Sequence, residues 1–255
     1  MCIAFSAAVL VISGRIKKCF RSRRLNPLEE AVCQHTYVAY ADILGFSQLV
    51  ESDFEAARDL YQRFLDNRDM VTQMRKGTVV MRIVSDSVLL TSTNLAHLIG
   101  AAQMLNFVTL TNDFLIRGGI AAGQHVEGSS NENLFIVSEP LIKAVKLEKR
   151  IAKPCIVIDS TVDIPDEWWL YTNDPFQRPI LFYDNIRLIN PFNVAWGYSA
   201  RHRVKLMGDK YPQHKDKYDW FIQLYEEVKA GSRLVPPHLT GSARSVSQGH
   251  AKPYR

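Results

Sequence analysis

Tyr40-Ala-Asp42-Ile43-Leu-Gly45-Phe46-Ser47 and, further along, Arg82-Ile-Val-Ser85-Asp86-Ser87 are the stretches that decide how this chain reads. Each closes an apolar, strand-like run on one carboxylate. Asp42 follows His35-Thr-Tyr-Val-Ala-Tyr-Ala41, and Asp86 follows Thr78-Val-Val-Met-Arg-Ile-Val84. Two such strands paired side by side would bring both carboxylates to one sheet edge. Carboxylates that close repel unless a proton or a metal ion lies between them. Hard divalent cations such as Mg²⁺ or Mn²⁺ take oxygen ligands and are commonly shared with substrate phosphates. The pair therefore points to a nucleoside triphosphate site.

Reading outward, the periodicity predicts a buried strand over Tyr37 to Ile43, a turn at Gly45-Phe-Ser47 and then a helical stripe. Phe54, Ala57, Leu60, Tyr61, Phe64 and Leu65 carry that stripe to about Met74. Val79 to Val84 and Val88 to Thr91 read as a hairpin with Asp86 at its tip. Asn94 is placed to cap a helix bearing Leu95, Leu98, Ile99, Ala102, Leu105 and Val108 on one side. Leu115 to Gly123 resumes as a strand whose glycines admit a close neighbour, with Leu134 to Val137 as its hairpin partner. Ser138-Glu-Pro140 opens a helix running to about Ile151, and Cys155 to Ile158 closes as a short strand. Strand and helix order predicts an α+β fold, a mostly antiparallel sheet with helices on one face.

Four regions are expected: a basic extension over 1–34, the α+β domain over 35–160, an aromatic appendage over 161–230 and a disordered tail over 231–255. The appendage carries Trp168, Trp169, Phe182, Tyr183, Phe192 and Trp196, with strands near Ile180 to Tyr183 and an amphipathic helix from Tyr218 to Lys229. The net charge of +5 over 255 residues is concentrated at the two ends, in Arg15 to Arg24 and Arg233 to Arg255. That reads as solvated tails more than a nucleic-acid surface, and no strand carries the aromatic cluster of an RNA-binding sheet. The 4 cysteines show no paired spacing, which argues against zinc or a disulfide framework and for a cytoplasmic setting. The apolar run Ile3 to Ile12 is short of the roughly 20 residues that span a bilayer, and its basic residues follow it. It reads as an extension, and membrane contact is not expected.

Taken in order, Asp42-Ile43-Leu-Gly45-Phe46-Ser47, Ser85-Asp86-Ser87 and Arg117-Gly-Gly-Ile120-Ala-Ala-Gly123 resemble the motifs of class III nucleotide cyclases. The wording is similar to that of the pyrimidine cyclases of bacterial Pycsar antiphage systems, and Pro140 through Ala144 to Leu147-Glu148 resembles their following helix. Where adenylate and guanylate cyclases carry Asn and Arg on that helix, this chain has Ile142 and Lys146. The resemblance implies a ferredoxin-like βαββαβ core and conversion of UTP to 3′,5′-cyclic UMP and diphosphate, as an antiphage second messenger read by a cyclic-nucleotide-binding effector. A cytidylate cyclase and a catalytically inactive regulatory module stand as alternatives. It further implies a homodimer with sites at the interface.

The same resemblance implies two Mn²⁺ or Mg²⁺ ions held by Asp42, Asp86 and the backbone carbonyl of Ile43. Taken singly, Asp42 reads as a turn residue and Asp86 as a hairpin tip. Gly45, Phe46 and Ser47 begin a helix whose free amides suit a triphosphate, with Phe46 also fit for the core. Arg117 matches a phosphate-contacting position, or is an exposed strand arginine. Arg82 stands where adenylate cyclases read the base; a pure donor there favours uracil's carbonyls, with a surface salt bridge as the alternative. Tyr40 is a base-stacking ring or a core aromatic. Lys146 would supply transition-state charge, though not bidentately, and Glu148 reads as structural.

Overall fold

The computed structural model describes residues 33–240, except 74–76, 131–132, 171 and 193–196. The basic extension up to residue 32, Trp196 and the tail from residue 241 lie outside these. Strand β1 (Gln34–Ile43) runs through the middle of a sheet in the order β2 (Val80–Val84), β3 (Ser87–Ser92), β1, β4 (Ile116–Ser130), β6 (Ile156–Ile158), β8 (Ile186–Ile189), β7 (Ile180–Tyr183), with β5 (Asn133–Ser138) on β4. Hairpin β2 and β3 lies on one side of β1, and β4 on the other, all antiparallel. β4 pairs in turn with β5 and, in parallel, with β6. The fold is α+β with a mostly antiparallel sheet.

Successive strand residues face opposite sides, so β1 has two characters. Ala39, Ala41 and Ile43 are buried in a core with Leu60 and Phe64 of α2 (Phe54–Asn67) and with Leu98, Ile99 and Leu105 of α4 (Leu95–Thr111). Tyr40 and Asp42 point the other way. The two helices of the βαββαβ core thus share one face, as their apolar spacing predicts. The opposite face is covered too: a Cβ on Gly119 would stand 2.5 Å from the Ala144 carbonyl of α5 (Glu139–Ile151). Gly118 and Gly119 of β4 therefore make room for backbone. A Cβ on Gly118 would crowd the Tyr40 carbonyl and Ala41 of β1, and one on Gly119 would meet helix α5.

Capping matches the side chains in the sequence. Asn94 accepts from His97 N at 3.0 Å, and Ser138 accepts from Leu141 N at 3.1 Å with Pro140 in the first turn. The single helical stripe expected after Gly45 is instead α1 (Phe46–Ser52), α2 and α3 (Asp69–Gln73). Asp53 breaks it, with φ −154°, and its carboxylate accepts from Ala56 N at 3.0 Å to start α2. A side chain that can bond the backbone locally competes with helix continuation.

After the short helix α6 (Asp166–Trp169), strands β7 (Ile180–Tyr183) and β8 (Ile186–Ile189) extend the same sheet beyond β6. Helices α7 (Gly197–Lys210) and α8 (Lys215–Lys229) then fold against the face that carries α5. Phe192, Phe221, Leu224 and Tyr225 pack there with Leu115, Leu147 and Val157 in a second core. Residues 231–240, expected to open a disordered tail, are packed on the fold: Leu234, Val235 and Leu239 are buried, and Phe182 N donates to the Leu234 carbonyl at 2.9 Å. Glycine, proline and basic composition masked three apolar anchors.

Candidate active site

The register of β1 builds the site. Asp42 pairs with Ser87 of β3 on one side and with Arg117 of β4 on the other. Asp86, one residue before Ser87, lies in the hairpin turn, where Ser85 takes φ +55°. Its carbonyl accepts from Ile43 N at 3.0 Å, which ties the hairpin tip to the end of β1. The two carboxylates are thus brought to one edge, as their positions after strand-like runs predict. Burial, and then the charge of Asp86, push the Asp42 carboxyl up to about 6 against the opposing pull of Arg117. The part of that rise due to Asp86 is what a neighbouring carboxylate produces.

Around the pair stand the residues expected from the sequence. Ser47 Oγ donates to Asp86 Oδ2 at 3.5 Å. Gly45 takes φ +78°, a left-handed turn that favours glycine, and its carbonyl accepts from Leu49 N as α1 begins. Phe46 packs on Tyr61 with ring centroids 5.6 Å apart, so it serves the core as well as the turn. The Tyr40 hydroxyl and Ser87 Oγ hydrogen-bond at 2.9 Å, and burial together with Asp42, Glu148 and Asp86 raises the phenol's pKa. Tyr40 is half-buried on the carboxylate side of the sheet.

Three basic residues fall differently. Arg117 donates through Nη2 to Asp42 Oδ2 at 3.2 Å, while its Nε lies 2.6 Å from Glu148 Oε1 in an ion pair whose N–H is not aimed at the oxygen. It bridges two carboxylates inside one chain. Arg82, on the same face, is held by Glu127 of β4, its Nε donating at 2.7 Å. Lys146 is exposed, on the side of α5 away from the buried Ala144, Leu147 and Glu148. Within one chain it contributes nothing to the carboxylate pair.

Two residues join the site that the sequence reading did not place there. Glu148 is 4% exposed, and its carboxyl is raised chiefly by burial. Its signal was available: it stands one helical turn after Ala144, on the arc of α5 that packs on Gly119. His214 comes from a 3₁₀ turn (Pro212–His214) of the appendage and contacts Gly45. No periodicity marks such a contact.

The donor set suits a hard cation: Asp42 and Asp86 supply oxygens, and their repulsion is what a divalent charge would relieve. Among the described residues there is no cluster of three or more metal-ligating side chains, so further oxygens would have to come from backbone or substrate. Among the same residues no helix is long and apolar enough to cross a membrane.

No protein-family model and no curated protein matches the chain. Solved structures similar to part of it include the adenylyl cyclase CyaB from P. aeruginosa, 20% identical over 51% of this chain and 79% of that one, with a TM-score of 0.43. The guanylyl cyclase Cya2 is 14% identical over 51% of this chain and 77% of that one, with a TM-score of 0.45. The guanylate cyclase domain of RhGC from Catenaria anguillulae, in complex with GTP, is 14% identical over 50% of this chain and 79% of that one, with a TM-score of 0.43.

Proposed function

We propose that the chain is a nucleotide cyclase of the class III type that converts UTP to 3′,5′-cyclic UMP and diphosphate. The observation that carries this reading is the convergence of Asp42 and Asp86 at adjoining strand ends, beside the Gly45 turn. The ribose 3′-oxygen bonds the α-phosphorus, the bond to the oxygen of the β-phosphate breaks, and the hydroxyl proton leaves to solvent. Asp42, Asp86 and the Ile43 carbonyl would hold Mg²⁺ or Mn²⁺, which when bound supplies Lewis-acid activation and neutralises leaving-group charge. The Gly45-Phe46-Ser47 turn receives the phosphates. Arg117 supports Asp42 in the resting chain and turns to phosphate when substrate charge competes for it. Arg82, with its fork oriented by Glu127, reads a carbonyl-bearing base.

The uridine preference, a homodimer with Lys146 and Arg82 serving the partner's site, cytoplasmic location and an antiphage role through a cyclic-nucleotide-binding effector rest on the resemblance of the three motifs. Cyclic CMP is the nearest alternative product. Incubating the purified chain with Mn²⁺ and each of UTP, CTP, ATP and GTP tests the proposal. Cyclic UMP in the first tube alone is the expected result, and cyclic product from none of the four would overturn it. A catalytically inactive regulatory module is favoured by one observation, the engagement of Arg117 by Asp42 and Glu148. That reading requires Asp42→Ala and Asp86→Ala to leave every activity unchanged.

A further inference from the structure

Helix α1 is the least anchored element of the site. It has 7 residues, none fully buried, and Gly45 before it offers no capping side chain. A helix so short depends on tertiary packing for its position. Yet beneath it lies a cavity of about 70 Å³, lined by Gly45, Leu49 and Ser52 on one side and Tyr211, His214 and Tyr218 on the other. Close packing does not back α1 along its length, so the few contacts that exist decide where it sits. One is Phe46 on Tyr61. Leu49 also packs on the main core, Ser47 bonds Asp86, and His214 meets the turn that precedes the helix.

His214 meets the turn where the backbone is most constrained. A Cβ on Gly45 would lie 2.5 Å from His214 Nε2 and 3.0 Å from Cδ2, so the imidazole fills the space over the glycine. The ring is itself well held. It is 9% exposed and stands edge-on to Tyr218, with centroids 6.5 Å apart and planes at 71°. The turn that carries it is closed by His214 N donating to the Tyr211 carbonyl at 3.1 Å, and Tyr211 N to Met207 at 2.8 Å. α7 is fastened to the core by Arg203, which donates to the Thr111 carbonyl at 3.2 Å and pairs with Asp113. Burial, with Lys217 and Arg117 nearby, favours the neutral imidazole, the form that packs on a backbone without a charge to solvate.

We propose that His214 is a positioning residue: carried by the C-terminal appendage, its ring fixes the Gly45 turn against the Asp42 and Asp86 carboxylates. Its consequence for substrate rests on the cyclase reading above; its consequence for the turn does not. The experiment compares the full chain with His214→Ala and His214→Phe by hydrogen exchange and by steady-state kinetics with Mn²⁺ and the triphosphate the wild type turns over. H214A is expected to speed exchange of the 44–49 backbone about tenfold while the 116–123 backbone is unchanged. It is expected to raise KM about tenfold with kcat within about twofold, and H214F, which restores a flat ring, to recover both. Should H214A fail to fold, His214→Asn, which shortens the ring's reach, is read in the same way. Unchanged exchange over 44–49, or a loss of kcat at constant KM, overturns the proposal. If no triphosphate is turned over by the wild type, the cyclase reading fails, while the exchange comparison still decides whether His214 seats the turn.

Discussion

At the scale of single residues the site is an argument between charges. Asp42 is pushed up to about 6 by burial and by Asp86, with Arg117 pulling the other way. A carboxyl whose folded pKa exceeds its unfolded value near 3.8 stabilises the fold fully below the unfolded value. That stability is lost as pH rises through about 6. Without divalent ions, Asp42→Asn should therefore melt close to wild type at pH 4 and above it at pH 7.5, measured by thermal unfolding at both pH values. Added Mn²⁺ should raise the wild-type Tm at pH 7.5 and leave it unmoved at pH 4, because a protonated carboxyl is a poor ligand. Under the proposed function, Asp42→Asn and Asp86→Asn each lower turnover about a hundredfold or more, the scale of losing a charged group that acts on the transition state. Glu148 is a different case. Removing one partner of a buried pair usually costs 3–5 kcal/mol; partial exposure of Arg117 brings the expectation for Glu148→Ala to about 2–3 kcal/mol by urea unfolding. The sequence put Asp42 and Asp86 together because each closes an apolar, strand-like run. It read Glu148 as structural and gave it no place at the site, because what a lone helical glutamate meets is set only when the helix is docked.

Elements show which local signals were decisive. Asn94 and Ser138 start helices because their side-chain oxygens accept orphan amides, and that chemistry is visible without a fold. Asp53 does the same in the middle of an apolar stripe, where the spacing of Phe54, Ala57 and Leu60 alone suggests continuity. Asp53→Ala should cost about 1 kcal/mol and shift the urea midpoint without changing its slope. The hairpin of β2 and β3 was legible from its two apolar runs and its Ser-Asp-Ser turn. Helix α1 was not legible as a separate element, since its seating depends on Tyr61 from α2 and His214 from the appendage.

For the molecule as a whole, the appendage completes the sheet. Asn190, fully buried, donates to the carbonyls of Pro175 at 2.9 Å and Arg178 at 2.7 Å and accepts from Phe192 N at 2.9 Å. Leu115, Leu147 and Val157 of the earlier region share their core with Phe192, Phe221 and Leu224. A chain ended after Asp159 would leave that apolar face in water, so it should be recovered mainly as aggregate or bind a hydrophobic dye strongly, where the full chain does neither. Spacing and bonds made within a few residues were enough for the order of strands and helices as far as Ile158, for the caps at Asn94 and Ser138 and for both carboxylates at strand ends, but not for the break at Asp53 or for helix α7. The sharing of Arg117 by Asp42 and Glu148, the hold of Glu127 on Arg82 and the backing of the Gly45 turn by the appendage came from the folded arrangement. Those contacts join residues far apart along the chain, and burial and ion pairing there depend on which faces meet once the sheet has closed.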